Sequence, residues 1–112
     1  MKGTEKQIAW AEDIKSDAIS NVNHNIDLSM QRYEEYDHHP AYLATAEAFR
    51  IMAACLERIF SSHDDAEYYI THKKSFEFEN LCQTVDRWAE LINTGKKNAA
   101  QIAAENGIKD YQ

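Results

Sequence analysis

Pro40-Ala41-Tyr42-Leu43-Ala44-Thr45-Ala46-Glu47-Ala48-Phe49-Arg50-Ile51-Met52-Ala53-Ala54-Cys55-Leu56-Glu57-Arg58-Ile59-Phe60-Ser61 is the stretch that decides the fold. Tyr42, Ala46, Phe49, Ala53, Leu56 and Phe60 alternate steps of four and three, the spacing of an a/d seam on a helix. Ala48, Met52, Cys55 and Ile59 form a second apolar stripe beside the first. Glu47, Arg50, Glu57 and Arg58 confine charge to the remaining side. A helix apolar over about half its circumference sits among other elements rather than on the rim. Pro40 suits the first turn, where a missing N–H costs nothing, so Asp37-His38-His39-Pro40 marks a break in the chain. Residues 40–61 are expected to be the central helix of an all-α fold.

On the N-terminal side, Thr4 followed by Gln7 has the spacing of a capping box. Beyond it Ile8, Ala11, Ala18, Ile19, Val22, Ile26, Met30 and Tyr33 fall on one helical stripe, interrupted near its middle by Lys15 and Ser29. The stripe keeps phase through Asn21, Asn23 and Asn25, all poor helix formers. The pattern predicts one long helix from about Thr4 to Tyr36, with fraying or a bend at the asparagines left open. Trp10 and Leu28 point away from the stripe, with Ile14 toward the same flank. Either other helices wrap that flank, or it is a contact surface for another chain.

On the C-terminal side, Asp64-Asp65 can cap a short helix running to about Lys74, with Lys73-Lys74 complementing its dipole. Ser75 is placed to cap the next helix, whose face carries Phe78, Leu81, Cys82, Val85, Trp88, Ala89 and Ile92. Gly95 is its expected stop, and a last short helix covers about Lys97 to Glu105 before Asn106-Gly107. The expected architecture is a small helical bundle with a long N-terminal helix, a central apolar helix and shorter C-terminal helices. Residues 1–95 form the bundle, and 96–112 a short, weaker helical appendage of the same domain.

Composition agrees with that class. The chain has 112 residues, 44% hydrophobic and 28% charged, which suits one globular domain. Three glycines and one proline are too few for a sandwich or barrel of many short strands. A formal net charge of −7 opposes direct binding to nucleic acid or to anionic membranes, and leaves cationic protein surfaces open as partners. No apolar run approaches the roughly 20 residues of a membrane span. Met1-Lys2-Gly3-Thr4-Glu5-Lys6 lacks an apolar signal core, so a cytoplasmic setting in a bacterial host cell is expected. Cys55 and Cys82 lie on apolar faces, where they form either one bridge or, as expected in a reducing cytosol, buried free thiols.

Chemistry-bearing patterns are sparse. A ferritin-like di-metal site needs Glu-x-x-His on two helices; Glu35-Tyr36-Asp37-His38 supplies it once. His38, His39 and His63 lie in inter-helix turns and gather a metal ion only if the two turns meet. Otherwise they are solvated. No Gly-x-Ser-x-Gly elbow, phosphate-binding Gly loop or His-Glu-x-x-His occurs. No catalytic, cofactor or metal-ligating residue is therefore assigned, and no enzyme is expected. Residues 99–108 resemble the first helix and turn of a helix-turn-helix, without the groove-reading helix that should follow. Two surfaces remain as binding candidates. Glu34, Glu35 and Asp37, with Asp64, Asp65 and Glu67, make an acidic ridge for a Lys/Arg-rich partner if they converge, or a solvated surface if they do not. Tyr68, Tyr69, Phe76 and Phe78 are either core or contact residues, and consecutive Tyr68-Tyr69 cannot both face one core.

Gly3-Thr4-Glu5-Lys6-Gln7-Ile8-Ala9-Trp10-Ala11-Glu12-Asp13-Ile14-Lys15 resembles a segment of uncharacterised small helical proteins from Gram-positive bacteria, their phages and mobile elements. Asp65-Ala66-Glu67-Tyr68-Tyr69-Ile70, ahead of Lys73-Lys74, is similar to a second stretch in such proteins. Together they cover under a quarter of the chain, and the tail after Gly95 has no counterpart. The resemblance implies a bacterial or phage cytoplasmic setting and carries no catalytic or binding residue. The resulting expectation is a non-enzymatic protein-binding module from a phage or mobile element. Its sharpest form is an inhibitor of a host defence nuclease, in the manner of an anti-CRISPR protein. The alternatives are a self-assembling protein that dimerises through Trp10 and Leu28, and a metal-binding protein using the turn histidines.

Overall fold

The computed structural model describes residues 1–111, in five α-helices and one 3-10 turn. Helix α1 spans Glu5–Glu35. Its capping box is formed: the Gln7 amide donates to Thr4 Oγ1 at 3.1 Å, and the Thr4 amide donates to Gln7 Oε1 at 3.0 Å. The helix runs unbroken through the asparagines, where Asn25 Nδ2 donates to the Asn21 carbonyl at 2.8 Å. Ala11, Ala18, Val22 and Ser29 are its buried residues, so Ser29 sits in the stripe as a small side chain rather than interrupting it.

The chain reverses at Asp37 and His38, whose φ angles of 55° and 56° are left-handed. Aspartate and histidine are among the few non-glycine types that enter this region with any frequency. The His38 amide donates to the Tyr33 carbonyl at 2.9 Å, and His39 Nδ1 accepts from the Ala41 amide at 3.2 Å. Helix α2 then covers Pro40–Ser62 and buries Ala44, Ala46, Ala48, Phe49, Ile51, Met52 and Leu56. Ala44 and Ile51 extend the buried arc one step beyond the two stripes read from sequence. The reason is that α2 touches α1 and two helices later in the chain.

Past α2 the sequence expectation is corrected. Asp65 does cap a helix, its Oδ1 accepting from the Glu67 amide at 3.0 Å, but α3 spans only Ala66–Thr71. Residues Lys73–Phe76 form a 3-10 turn, and the Ser75 amide donates to the His72 carbonyl inside it, so Ser75 caps nothing. The tighter turn brings Phe76 inward, with ring centroids 6.1 Å from Phe60 and 5.7 Å from Tyr69. Burial of one aromatic ring outweighs two residues of α-helical hydrogen bonding. Helix α4 covers Phe78–Asn93 with Glu77 as its N-cap residue, and buries Leu81, Val85 and Trp88. Gly95, at φ 75°, ends it as expected.

Helix α5 spans Ala99–Glu105 behind a capping box of Asn98 and Gln101. Ile102 and Ala103, 1% and 0% exposed, belong to the same core cluster as Ile51 and Leu56, which ties the tail into the bundle. No helix follows Gly107 among the described residues, so the helix-turn-helix likeness stops there.

The N-terminus acts as a strap. The Lys2 amide donates to the Asp64 carbonyl at 3.0 Å, and the Ala66 amide donates to the Lys2 carbonyl at 2.9 Å. This places the start of α1 beside the end of α2, so the two helices run antiparallel. Gly3 sits at φ 137°, and a Cβ added there would meet the Ala66 Cβ at 3.0 Å. Gly3→Val is expected to cost about 1–3 kcal/mol through backbone strain and the clash. A thermal melt unchanged from the parent would show that the strap contributes nothing.

Candidate functional site

The two acidic groups do not converge. Glu34, Glu35 and Asp37 lie where α1 passes into α2, whereas Asp64, Asp65 and Glu67 lie beyond the other end of α2. Twenty-three helical residues separate them, a distance of about 35 Å at 1.5 Å per residue. Asp64 and Asp65 also have local tasks. The Asp64 carboxylate is 3.6 Å from the N-terminal ammonium, and Asp65 caps α3. The same separation divides His38 and His39 from His63, so these three imidazoles cannot share an ion. Among the described residues, no group of three or more His, Cys, Asp or Glu side chains is placed to hold a metal.

A different acidic surface takes the place of the ridge. Glu5, Glu12, Asp13, Asp17, Asp27, Glu34 and Glu35 are all exposed. With 3.6 residues per turn they fan across the side of α1 opposite Ala11, Ala18, Val22 and Ser29. Only Lys6, Lys15 and Arg32 balance these seven on the helix. Lys15 is turned inward, its Nζ 5.3 Å and 5.4 Å from the ring centroids of Phe60 and Tyr69. With 31 residues, α1 is about 46 Å long at 1.5 Å per residue, close to the 50 Å long axis of the molecule. This face was readable as the polar complement of the α1 stripe.

Trp10 and Leu28 share a flank of α1 with Ile14. Trp10 is 47% exposed, Leu28 is half-buried, and Lys73 Nζ lies 5.2 Å over the Trp10 ring. Ile14, Asp17 and Asn21 on this flank form one wall of an open groove of about 320 Å³, with Lys73, Phe76 and Phe78 opposite. The flank is therefore half wrapped by the bundle. Tyr69 is fully buried, its hydroxyl donating to the His63 carbonyl at 2.6 Å, while Tyr68 is half-buried. Tyr68 stacks on His63 with centroids 3.7 Å apart and meets His72 at 4.4 Å. One tyrosine thus serves the core, and its neighbour a surface stack.

A second groove, of about 490 Å³, lies between Glu47 and Arg50 of α2, Ile92 of α4, and residues 97–101, with Tyr111 closing one side. Most of its polar groups are already engaged. Lys97 Nζ donates to both Glu105 carboxylate oxygens at 2.9 Å, and Asn98 and Gln101 cap each other. Neither groove presents a nucleophile beside a base.

Cys55 and Cys82 are free and half-buried rather than fully enclosed. Burial pushes both thiols up from their ordinary value, against Arg58 at Cys55 and together with Asp86 at Cys82. Burial likewise raises the phenols of Tyr69 and Tyr111. Each folded-state pKa is raised, so the protonated form is favoured by folding. That stability is complete below the unfolded pKa, near 9 for thiols and 10 for phenols, and is lost as pH rises through the folded values. The melting temperature should therefore fall progressively above about pH 9; a flat profile to pH 11 would contradict this.

Comparison of the chain with protein families, with curated proteins and with solved structures returns no match. Among the described residues, no helix is long and apolar enough to cross a membrane.

Proposed function

We propose that this protein is a non-enzymatic protein-binding module that engages a basic, nucleic-acid-binding protein through the outer face of α1. A phage or mobile-element setting, with a host defence nuclease as the target in the manner of anti-CRISPR inhibitors, is its most specific form. The observation that carries the reading is the spread of seven exposed carboxylates over the side of one continuous helix that faces away from the core. A helix face of like charge steers a cationic surface during encounter and rejects wrong partners by repulsion. Duplex DNA carries one charge per about 1.7 Å of axis, so seven charges over about 46 Å imitate it only sparsely. Complementarity to particular Lys and Arg positions, rather than charge density, would then set specificity. The free thiols, raised by burial, and the engaged polar groups of the larger groove favour binding over catalysis.

The test is capture from bacterial lysate with the tagged protein and with the variant E12Q/D13N/D17N/D27N. All four positions are exposed, so the fold is expected to survive. Nucleic-acid-binding proteins should be retained by the parent, released by competing DNA or moderate salt, and missed by the variant. Identical captured sets for parent and variant would reject the α1 face as the binding surface.

A further inference from the structure

The corner joining α1 to α2 brings aromatic rings and exposed carboxylates into one short segment. Tyr36 is 57% exposed, the most exposed large aromatic side chain among the described residues. Its ring stacks on Tyr42 with centroids 5.6 Å apart and planes at 26°. His39 meets the Tyr42 ring edge-on at 6.1 Å, and Tyr33 packs on His38 at 4.8 Å. Glu35 and Asp37 flank Tyr36 in the chain, with Glu34 one residue further back, and all three are exposed. Glu34 Oε2 lies 3.0 Å from His38 Nε2, and Glu35 Oε1 accepts from Gln31 Nε2 at 3.0 Å, which holds both carboxylates in place. The left-handed Asp37 and His38 reverse the chain within a few residues, bringing Tyr36 onto Tyr42 across Pro40.

We infer that this corner is an arginine-reading site, at which a guanidinium from a basic protein partner lies on the Tyr36–Tyr42 stack and pairs with the carboxylates beside it. The inference rests on the protein-binding reading and names the side chain that one end of the surface selects. Charge complementarity decides the occupant. A second copy of this chain would set like charges against one another, and an apolar segment would strip water from three carboxylates without replacing it. Among cations, arginine fits better than lysine. Its guanidinium is planar, weakly hydrated and able to stack on a ring while donating to a carboxylate from its edge. An ammonium supplies charge without the flat face.

The full chain is titrated with two blocked peptides, hexa-arginine and hexa-lysine, at one ionic strength, with affinities read by calorimetry. The expected result is a preference for hexa-arginine of about two- to fivefold, the range of one exposed cation–π contact. Tyr36→Ala should abolish the preference by lowering hexa-arginine to the lysine level, and Tyr36→Phe should keep it. The double variant E34Q/D37N should weaken both peptides. Equal affinities in the parent, a preference that survives Tyr36→Ala, or no binding of either peptide would overturn the assignment. Loss of the preference leaves capture through Glu12, Asp13, Asp17 and Asp27 untouched, so this failure is separable from failure of the wider reading. Because Tyr36 is at the surface, a melt matching the parent establishes that Tyr36→Ala is folded.

Discussion

Ile51→Ala is expected to lower the unfolding free energy by about 2–5 kcal/mol. Ile51 is wholly enclosed, in the middle of the helix that packs against α1, α4 and α5. The substitution removes three carbon atoms and leaves a space that close-packed neighbours fill only in part. Alanine's better helix propensity returns about 0.4 kcal/mol, too little to change the sign. Domains of this size are stable by roughly 5–15 kcal/mol, so the variant keeps its fold with a large part of its margin gone. Urea titration followed by tryptophan fluorescence measures the change, because Trp88 is 8% exposed and enters water on unfolding. A loss under about 1 kcal/mol would mean that the site collapses freely or is not enclosed.

Ile102→Asp is expected to cost more than about 3 kcal/mol near neutral pH, either unfolding the protein or releasing α5. Ile102 is 1% exposed and lies in the same cluster as Leu56 and Val85. The new carboxylate would have to ionise in an apolar site or stay protonated at the expense of a raised pKa. Its folded pKa would exceed its unfolded one, so the penalty should shrink as pH falls toward 4. That pH dependence separates charge burial from simple loss of packing. If residues after Gly95 were only loosely attached, the main melting transition would not move. The expected outcome is that it moves strongly.

Much of the fold was legible because burial leaves a period in the sequence. Ala11, Ala18 and Val22 on α1, and Phe49, Met52 and Leu56 on α2, lie on the stripes that spacing predicts, and all are buried. Capping signals were local and therefore readable at Thr4, Asp65 and Gly95. The errors arose where a long-range contact overrode a local rule. Lys73–Phe76 tightened into a 3-10 turn because Phe76 had a pocket against Phe60 and Tyr69, which no window of neighbours displays. Ile51 is enclosed because several helices pack around α2, so its buried arc is wider than one stripe.

The candidate site was legible only in part. Glu34 and Asp64 lie at opposite ends of the 23-residue α2, about 35 Å apart at 1.5 Å per residue, so their separation was legible once that helix was taken as continuous. The carboxylate face of α1 follows from periodicity once the helix is known to be continuous. The aromatic corner does not. Tyr33, Tyr36 and Tyr42 read as two stripe positions and a helix end until the left-handed turn at Asp37 and His38 brings them together.

The carboxylate face exists as one surface only if α1 is an unbroken rod, since a hinge among Asn21, Asn23 and Asn25 would split it in two. Amide hydrogen exchange tests this directly. Amides of Asn21–Asn25 should be protected to the same order as those of Ala11–Ala18, exchanging only with global unfolding. Exchange at the asparagines that is faster by several orders of magnitude, with both flanking segments still protected, would show two helices and contradict the account.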